Sequence, residues 1–409
     1  MTKYKRASSA GPSRVPEFGS RPIQIGVIGT GFVARHFVLE LLRRSEWQLG
    51  RVLTRRPLDS VEGFPEDALT DSPEELIESA DIVFECTGDV TYATRQIGAA
   101  MAAGRPVVTL NPEFHVTTGS ALVAQGYLTE AEGDQPGVIA SLYGEAVALG
   151  FEPVVLGNIK GFLNLTPTLS DMKYWAERQG ISLQMVTSFT DGTKLQVEQC
   201  LVGNFFGANI AREGLLGPEN DDIQATGDLL GEAAGSAGEL ITDYVLSRKL
   251  PHGVFVVARH QAAQQDALRY LKLGDGPYYT LLRPNIFVHL EVFKTLERVA
   301  RGDTALLHNS ARPRLSVAAV AKCGLKPGDT ITRGCGSFEL RGMCVRIADR
   351  PDHLPIGLAD NIRLIRTVEP GQPLTFDDVE IEPTEAIRLW QSIREAAPTT
   401  DSLPVVAEA

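Results

Sequence analysis

The chain has 409 residues, of which 43% are hydrophobic and 22% are charged, and its formal net charge is −12. This composition is typical of a globular protein, and the length predicts two or three domains rather than a single core. Because the negative charge gives no general attraction to nucleic acid or to anionic membranes, both are excluded as expected partners.

The cysteines and the hydropathy pattern indicate the expected compartment. The five cysteines are scattered and form no C-x-x-C pair, which predicts reduced thiols in the cytoplasm and no cysteine metal site. No apolar run is long enough to span a bilayer, and we expect no secretory leader. Residues 1–20 combine Lys and Arg with Ser, Gly and Pro, so a disordered tail is expected there.

Residues 23–42 predict a strand, a tight turn and a helix. An apolar run ends at Gly29, and apolar residues then recur at helical spacing. The G-x-G-x-x-A pattern fits a dinucleotide-binding turn, because small residues let the pyrophosphate approach the amides at the helix start. A purely structural turn is the alternative. The predicted cofactor contacts in this turn are Gly29, Thr30, Gly31, Phe32 and Val33.

The end of the second predicted strand, 49–54, indicates which dinucleotide binds. An NAD site usually offers an acidic side chain there for the ribose hydroxyls, whereas this chain has Thr54, Arg55 and Arg56. Guanidinium groups match phosphate oxygens with paired donors, so the sequence predicts NADPH over NADH. Two solvated arginines at the start of a loop are the alternative.

Alternating strands and helices up to about residue 140 predict an open parallel sheet, in which ligands bind at the carboxyl ends of the strands. Thr87 and Gly88 follow one buried strand and are expected at the nicotinamide end of the cofactor. Asn111 and Glu113 follow the next strand and are expected to contact the substrate.

Four ionisable residues are the catalytic candidates. Reduction of a carbonyl needs an acid to protonate the developing alkoxide, and a lysine can do so when burial or neighbouring cations lower its pKa. Lys160 and Lys194 are the candidate acids, and Asp191 and Glu198 are expected to orient them or relay protons. Lys194 and Glu198 are one helical turn apart, for which an exposed ion pair is the alternative.

The remaining segments complete the predicted division of the chain. Residues 212–238 are rich in glycine and acidic residues and predict irregular structure. Two Pro-Gly turns, at 327–328 and 370–371, lie between short β-like runs and predict a small β domain. The expected parts are a tail at 1–20, a Rossmann domain at 21–140, a substrate-binding or catalytic domain at 141–312, the β domain at 313–383 and a C-terminal tail at 384–409.

Four motifs together resemble one group of enzymes. They are Gly133-Asp134-Gln135-Pro136, Leu149-Gly150-Phe151-Glu152, the run 188–194, and Lys272-Leu273-Gly274-Asp275-Gly276-Pro277. From about residue 22 to 383 the chain resembles the homoserine-dehydrogenase-like oxidoreductases with a C-terminal SAF domain, which include the 1-deoxy-D-xylulose-5-phosphate reductoisomerase-like enzymes of some bacteria. The resemblance implies a doubly wound α/β Rossmann sheet, an α+β substrate and oligomerisation domain, a small SAF-like β domain, a nicotinamide cofactor, and a homo-oligomer (dimer or tetramer).

Two departures from the family pattern bear on the substrate. Homoserine dehydrogenases usually place Asn-Lys where this chain has Asn111-Pro112, which lowers the ranking of homoserine. Reductoisomerase-like relatives have a loop similar to Gly-Lys-Gly-Lys-Asn, where this chain reads Gly157-Asn158-Ile159-Lys160-Gly161. Of the two lysines, this chain keeps only the second, Lys160. One missing positive charge argues against a fully phosphorylated sugar.

The sequence therefore predicts an NADP-dependent oxidoreductase acting on CH–OH groups. We expect a reductoisomerase or oxidoisomerase whose substrate is a small polyhydroxylated ketone, sugar acid or sugar phosphate. The alternatives are a homoserine dehydrogenase and a nucleotide-sensing protein without turnover. A divalent metal could assist isomerisation, but the loose group Glu113, His115 and Asp134 is better explained as structural, so no metal ligands are predicted.

Overall fold

The computed structural model describes residues 21–397, so the predicted tail at 1–20 and the residues from 398 onward lie outside the described residues. The first sheet contains β1 (Ile23–Ile28), β2 (Trp47–Leu53), β3 (Leu69–Thr70), β4 (Ile82–Glu85), β5 (Val107–Thr109) and β6 (Leu128–Glu130). All six strands are parallel, in the order β3-β2-β1-β4-β5-β6. This order confirms the predicted doubly wound α/β sheet.

Helices cover both faces of the first sheet. They are α1 (Phe32–Leu41), α2 (Pro73–Glu78), α3 (Val90–Ala102) and a broken helix made of α4 (Pro112–Phe114), a π-helical turn (His115–Gly119) and α5 (Ser120–Leu122). A later helix, α12 (Val292–Ala300), returns to the same core, where Phe293 stacks on Phe37 with ring centroids 5.0 Å apart. The second half of the chain is therefore anchored to the first sheet.

The second sheet is mixed and contains β7 (Glu152–Lys160), β8 (Ile241–Leu246), β9 (Gly253–Arg259) and β10 (Tyr279–Pro284). Its order is β10-β9-β7-β8, with β7 and β8 parallel and the other pairs antiparallel. The helices of this part are α6 (Gln135–Ala148), α7 (Leu169–Gln179), α8 (Leu183–Thr190), α9 (Thr193–Phe206), α10 (Ile223–Ala237) and α11 (Gln265–Tyr270). Helix α6 runs across the predicted division at residue 140 and packs on the second sheet, so the first sheet ends before it.

The prediction of irregular structure over 212–238 is wrong for α10. Its glycines at 227, 231 and 235 recur every four residues and form one face of the helix. An added Cβ at Gly231 would lie 2.6 Å from the ring of Tyr278, and one at Gly227 would lie 2.1 Å from the Thr280 hydroxyl. The glycines therefore permit close packing on β10 rather than breaking the helix.

The C-terminal part forms two small antiparallel sheets. One pairs β11 (Leu315–Ala321) with β13 (Leu340–Arg346), and the other has β12 (Thr330–Ile331), β14 (Ile362–Leu364) and β15 (Val379–Glu380) in the order β12-β14-β15. The predicted C-terminal tail from 384 is wrong for α13 (Glu385–Ala396), whose Trp390 is 1% exposed in the core shared with β11 and β13. The apolar face of α13 packs against this core.

Short 3₁₀ turns connect several of these elements. They lie at Leu58–Ser60, Glu66–Ala68, Ala262–Gln264, Val288–Leu290, Ile356–Leu358 and Phe376–Asp378. None of the helices in the described part of the chain is both long and apolar enough to cross a bilayer.

Candidate functional site

The turn between β1 and α1 has the backbone that a dinucleotide site requires. Gly29 has a φ of +118°, which side-chain-bearing residues rarely adopt, and Gly31 caps the helix with open space where a Cβ would lie. A cavity of about 380 Å³ opens beside this turn and is lined by Thr30, Gly31, Phe32, Arg35, His36, Arg56, Ser60, Glu62 and Gly180. The sequence between β1 and α1 thus leaves helix-start amides facing a cavity.

The two arginines after β2 have different surroundings. Arg56 lines the cavity together with Arg35. Arg55 points elsewhere: its Nη2 donates to Asp89 at 2.8 Å, and its guanidinium carbon lies 4.2 Å from the ring centroid of Tyr92. Thr54 is buried and its hydroxyl lies 3.1 Å from that of Thr30. The structure therefore brings Arg56, not Arg55, to the glycine-rich turn.

A buried carboxyl group organises the ends of β4 and β5. Glu85 accepts hydrogen bonds from the amide of Thr87 at 2.7 Å and from the side chain of Asn111 at 3.3 Å. Burial raises the pKa of Glu85, and these donors oppose the rise. Asn111 is fully buried and its Oδ1 accepts from the amide of Phe114 at 3.1 Å, so its side chain caps the helix that follows. Its contact with substrate stays a prediction.

Five ionisable side chains meet next to this edge of the first sheet. We call them the lysine–carboxylate cluster: Glu113, Asp134, Lys160, Lys194 and Glu198. Nζ of Lys194 lies 3.3 Å from Oε2 of Glu113 and 3.1 Å from Oδ2 of Asp134. Glu113 follows β5, whereas Lys194 begins α9, so the cluster joins the two halves of the molecule.

Lys160 and Glu198 form the second half of the lysine–carboxylate cluster. Nζ of Lys160 donates to Oε2 of Glu198 at 3.1 Å, and Nδ2 of Asn158 donates to the same oxygen at 2.7 Å. Asn158 and Lys160 are two residues apart on β7 and so point to the same face of the strand. Lys194 and Glu198 share one face of α9, as their spacing predicts, but Glu198 is buried, the Lys194 side chain is only 13% exposed, and both contact partners from other elements. The exposed ion pair is therefore excluded.

The position of Asp134 is fixed by glycines. Gly133 has a φ of +135°, and a Cβ there would lie 2.2 Å from the carbonyl oxygen of Val288. A Cβ at Gly137 would lie 2.0 Å from the carbonyl oxygen of Ala131. Because backbone fills both places, no side chain fits, and Asp134 is held at the start of α6 facing Lys194.

The electrostatics of the lysine–carboxylate cluster differ from the sequence prediction. Burial lowers the pKa of Lys194, but Asp134, Glu113 and other carboxylates more than reverse this, and the pKa ends well above the ordinary lysine value. The expectation of a lysine with a lowered pKa is therefore wrong for Lys194, which stays charged. Burial raises the pKa of Glu198 to about 7, although Lys160 opposes the rise. A carboxyl group with this pKa can exchange a proton near neutral pH.

Two further residues, which sequence reasoning did not single out, connect the two halves of the lysine–carboxylate cluster. In the amide orientation that satisfies its neighbours, Gln135 donates to Asp134 and, at 3.2 Å, to Oε1 of Glu198. It then accepts from Nε2 of His252 at 3.0 Å. Burial lowers the pKa of His252, with Lys160 adding to the effect, so the ring is a neutral donor. The Gly-Asp-Gln-Pro motif pointed to Gln135, whereas nothing local in the sequence pointed to His252.

An uncharged pair lies at the carboxyl edge of the first sheet. Nε2 of His115 is 3.4 Å from Oε2 of Glu130, and both side chains are fully buried. Burial lowers the pKa of His115 to about 3, and burial followed by Asp134 raises the pKa of Glu130 well above its usual range. Neither residue is grouped with others as metal ligands, and across residues 21–397 no three His, Cys, Asp or Glu side chains come together in that way.

Asp191 lies outside the lysine–carboxylate cluster. Its Oδ2 accepts from Nζ of Lys322 at 2.5 Å, and its Oδ1 accepts from the amide of Thr193 at 2.8 Å. The two charged side chains are 0% and 2% exposed. Asp191 therefore ties the turn before α9 to the end of β11, and the structure does not bring it beside Lys194 and Glu198 as the sequence predicted.

We expect Asp191→Asn to lower stability while turnover of the folded protein persists. Removing one partner leaves the buried Lys322 ammonium unpaired, which costs roughly 3–5 kcal/mol. Urea unfolding would measure this loss, with the exposed Asp171→Asn as the matched control. A variant with unchanged stability and lost turnover would instead return Asp191 to the catalytic group.

Comparison with known proteins found a family model that matches part of this chain. Residues 133–292 match the family model described as "Oxidoreductase DRL, catalytic domain". This range contains Asp134, Lys160, Lys194 and Glu198, four of the five members of the lysine–carboxylate cluster. The predicted resemblance is thereby confirmed for this part of the chain, whereas the SAF assignment of the C-terminal part stays a prediction. A search of curated proteins found no significant match.

Several solved structures are similar to this chain at low sequence identity. A probable dehydrogenase from Thermotoga maritima is 15% identical with a TM-score of 0.44, over 70% of this chain and 91% of that one. A homoserine dehydrogenase from Thiobacillus denitrificans is 18% identical with a TM-score of 0.41, over 68% and 73%. A UDP-N-acetylglucosamine 3-dehydrogenase from Acidithiobacillus ferrooxidans is 12% identical with a TM-score of 0.41, over 70% and 92%.

The family match and the fold together define the broad class of this protein. A doubly wound sheet with a glycine-rich first turn, joined to an oxidoreductase domain, implies a nicotinamide cofactor. The chain is an oxidoreductase, and its residues 133–292 are similar to the DRL catalytic domain.

Proposed function

We propose that this chain is an NADP-dependent oxidoreductase that interconverts a carbonyl and an alcohol on a small polyhydroxylated ketone, sugar acid or sugar phosphate, with rearrangement of the carbon skeleton. The observation that carries the proposal is the lysine–carboxylate cluster at the carboxyl edge of the first sheet, where Lys194 contacts Glu113. This is the edge at which ligands of doubly wound sheets bind.

The residues of the first turn fit the proposed cofactor. The amides from Thr30 to Val33 would hold the pyrophosphate, and Thr87 and Gly88 would lie toward the nicotinamide. Arg56, with Arg35 beside it, would hold the ribose 2′-phosphate. Bound NADPH would supply the hydride for the carbonyl carbon.

Lys194 is proposed to stabilise the negative charge that develops on the carbonyl oxygen. Its side chain is 13% exposed and its ammonium group is held by Glu113 and Asp134, so its position is set before substrate binds. A fixed charge in a site with little water stabilises a developing oxyanion more than a mobile charge would. Lys194 therefore acts as a charge rather than as the proton donor.

Glu198 is proposed to carry the proton, with Lys160 as its immediate partner. A carboxyl group with a pKa of about 7 can donate and accept near neutral pH. The hydrogen bond between Lys160 and Glu198 gives the proton a route to the substrate oxygen. In the reductive direction the carbon gains a hydride, the oxygen gains this proton, and Glu198 is left ionised.

The substrate class follows from the polarity of the lysine–carboxylate cluster. Two ammonium groups, three carboxyl groups, Gln135 and Asn158 offer many hydrogen bonds and few apolar contacts. Such a surface suits a chain of hydroxyl groups. Asp134 and Glu113 would be the bases for a retro-aldol and aldol rearrangement.

The test is a trial of the purified protein with NADPH, Mg²⁺ and 1-deoxy-D-xylulose 5-phosphate, followed by absorbance and by NMR of the product. Cofactor oxidation with a rearranged carbon skeleton supports the full proposal. Oxidation without rearrangement removes the isomerisation step. Homoserine with NADP⁺ is assayed in parallel, and turnover there would overturn the proposed substrate class.

We expect Arg56→Ala to weaken NADPH binding about 10- to 100-fold while NADH binding stays nearly constant, because a charge-assisted contact to the 2′-phosphate is lost. Arg55→Ala is the matched control, since Arg55 is bonded to Asp89 and should matter much less. Equilibrium binding of both cofactors, measured by quenching of protein fluorescence, checks the pair. An Arg56→Ala variant with unchanged preference for NADPH would contradict the assignment.

A further inference from the structure

A second cavity, of about 320 Å³, lies between the second sheet and the C-terminal β region. The residues that matter for the argument are Leu165, Arg212, Leu215, Tyr244, Arg341 and Met343. Gly192 and Gln196 also line it. On α9 these two positions are half a turn from Lys194 and Glu198, so the cavity and the lysine–carboxylate cluster lie on opposite faces of one helix.

Arg341 brings an unpaired positive charge to this cavity. Within residues 21–397 its guanidinium group makes no hydrogen bond, and no carboxylate lies within 4.0 Å of it. Arg346, on the same strand, instead donates to Asn209 at 2.9 Å. Burial lowers the pKa of Arg341, with Asp191 and Tyr244 opposing the change, but an arginine remains charged. Arg341 thus lines the cavity with guanidinium donors that no group in the described part of the chain accepts.

The acidic residues around the cavity have other partners. Asp191 is paired with Lys322, and Glu213 accepts two hydrogen bonds from Arg350 at 2.9 Å each. Arg212 adds positive charge: its Nε donates to the carbonyl of Leu215 at 2.7 Å, and these contacts hold the guanidinium in place. Arg212 and Arg341 therefore line a cavity whose two acidic lining residues, Asp191 and Glu213, are each paired with another cation.

We propose that this cavity binds a small organic phosphate. Arg341 on β13, Arg212 in the loop after α9 and the Tyr244 hydroxyl on β8 approach from three elements, which suits the three free oxygens of a phosphate monoester better than a planar carboxylate. Leu165, Leu215 and Met343 form the apolar part of the wall and would pack on the organic body. The inference does not depend on the reaction, because the site lies across α9 from the lysine–carboxylate cluster.

Phenyl phosphate is the probe, and the Met343 methyl group reports on the cavity. The chain has five methionines, so methyl-labelled protein gives a spectrum in which Met343 can be assigned by mutation. We expect phenyl phosphate to shift the Met343 signal saturably while the signal of Met101, buried under the first sheet, stays in place. Phenol and benzoate should bind at least about 10-fold more weakly, because each lacks part of the phosphate charge and geometry.

Arg341→Leu should weaken binding of phenyl phosphate at least about 10-fold. Arg363→Met, at the exposed middle position of strand β14, is the control and should bind like the unmodified chain. Arg341→Lys keeps the charge and should retain intermediate affinity, which separates loss of binding from loss of folding. No saturable Met343 shift, an unaltered dissociation constant in Arg341→Leu, or equal binding of benzoate would each overturn the proposal.

Discussion

Replacing Glu198 by Gln is expected to lower turnover by about 10²- to 10⁴-fold, because the amide cannot carry the proton. The carboxyl group, with a pKa of about 7, is protonated below that pH and ionised above it. Reduction by the unmodified protein should therefore slow as the pH rises through about 7, and the reverse oxidation should speed up. In Glu198→Gln neither the fall in the reduction rate nor the rise in the oxidation rate near pH 7 should be seen. Turnover measured in both directions from about pH 5 to about pH 9 checks the expectation.

The control for Glu198→Gln is Glu177→Gln on the exposed surface of α7, which should keep the activity and the pH profile of the unmodified protein. Affinity for NADPH should be the same in both variants, because Glu198 lies away from the glycine-rich turn. If turnover by Glu198→Gln still changed with pH near neutrality, the proton would have to come from another group. The role of Glu198 would then be limited to holding Lys160.

The substitution Lys194→Met is expected to lower kcat by about 10²- to 10³-fold, the usual cost of losing one stabilising group for an oxyanion. The methionine side chain nearly matches the length of lysine but carries no charge, so Glu113 and Asp134 lose their shared cation. Steady-state kinetics with saturating cofactor separates the effect on kcat from that on KM.

Lys173→Met, on the exposed face of α7, is the control for that substitution. Lys194→Arg is informative as a second variant, because it keeps the charge in a different shape and should recover part of the rate. Near-normal turnover in Lys194→Met would remove Lys194 from the mechanism, whatever its contacts.

Local patterns were sufficient to predict the first sheet. The glycine-rich turn, the buried strands and the helices between them are signals that each lie within a few residues, and parallel sheets follow from their alternation. The same applies to the common face of Lys194 and Glu198, which needs only the helical period. These features were predictable because sequence neighbours determine them.

Features that depend on distant residues were not predictable. The partner of Asp191 is 131 residues away, so its ion pair with Lys322 could not be separated from a catalytic role. The pKa of Lys194 depends on Asp134 and Glu113, which lie at the starts of two other helices. Helix α10 was missed because its glycines resemble loop residues until Tyr278 is placed against them.

The contacts of helix α9 with the C-terminal region limit how far this chain can be shortened. The side chain of Thr193 accepts from the amide of Gly342 at 2.8 Å, and that of Gln196 accepts from the amide of Cys344 at 2.8 Å. Val197 and Leu201 belong to the same core as β11 and α13. A chain shortened at residue 312 would leave this face of α9 without its hydrogen bonds and without its apolar cover. The C-terminal region therefore cannot be removed without exposing α9, the helix that carries Lys194 and Glu198.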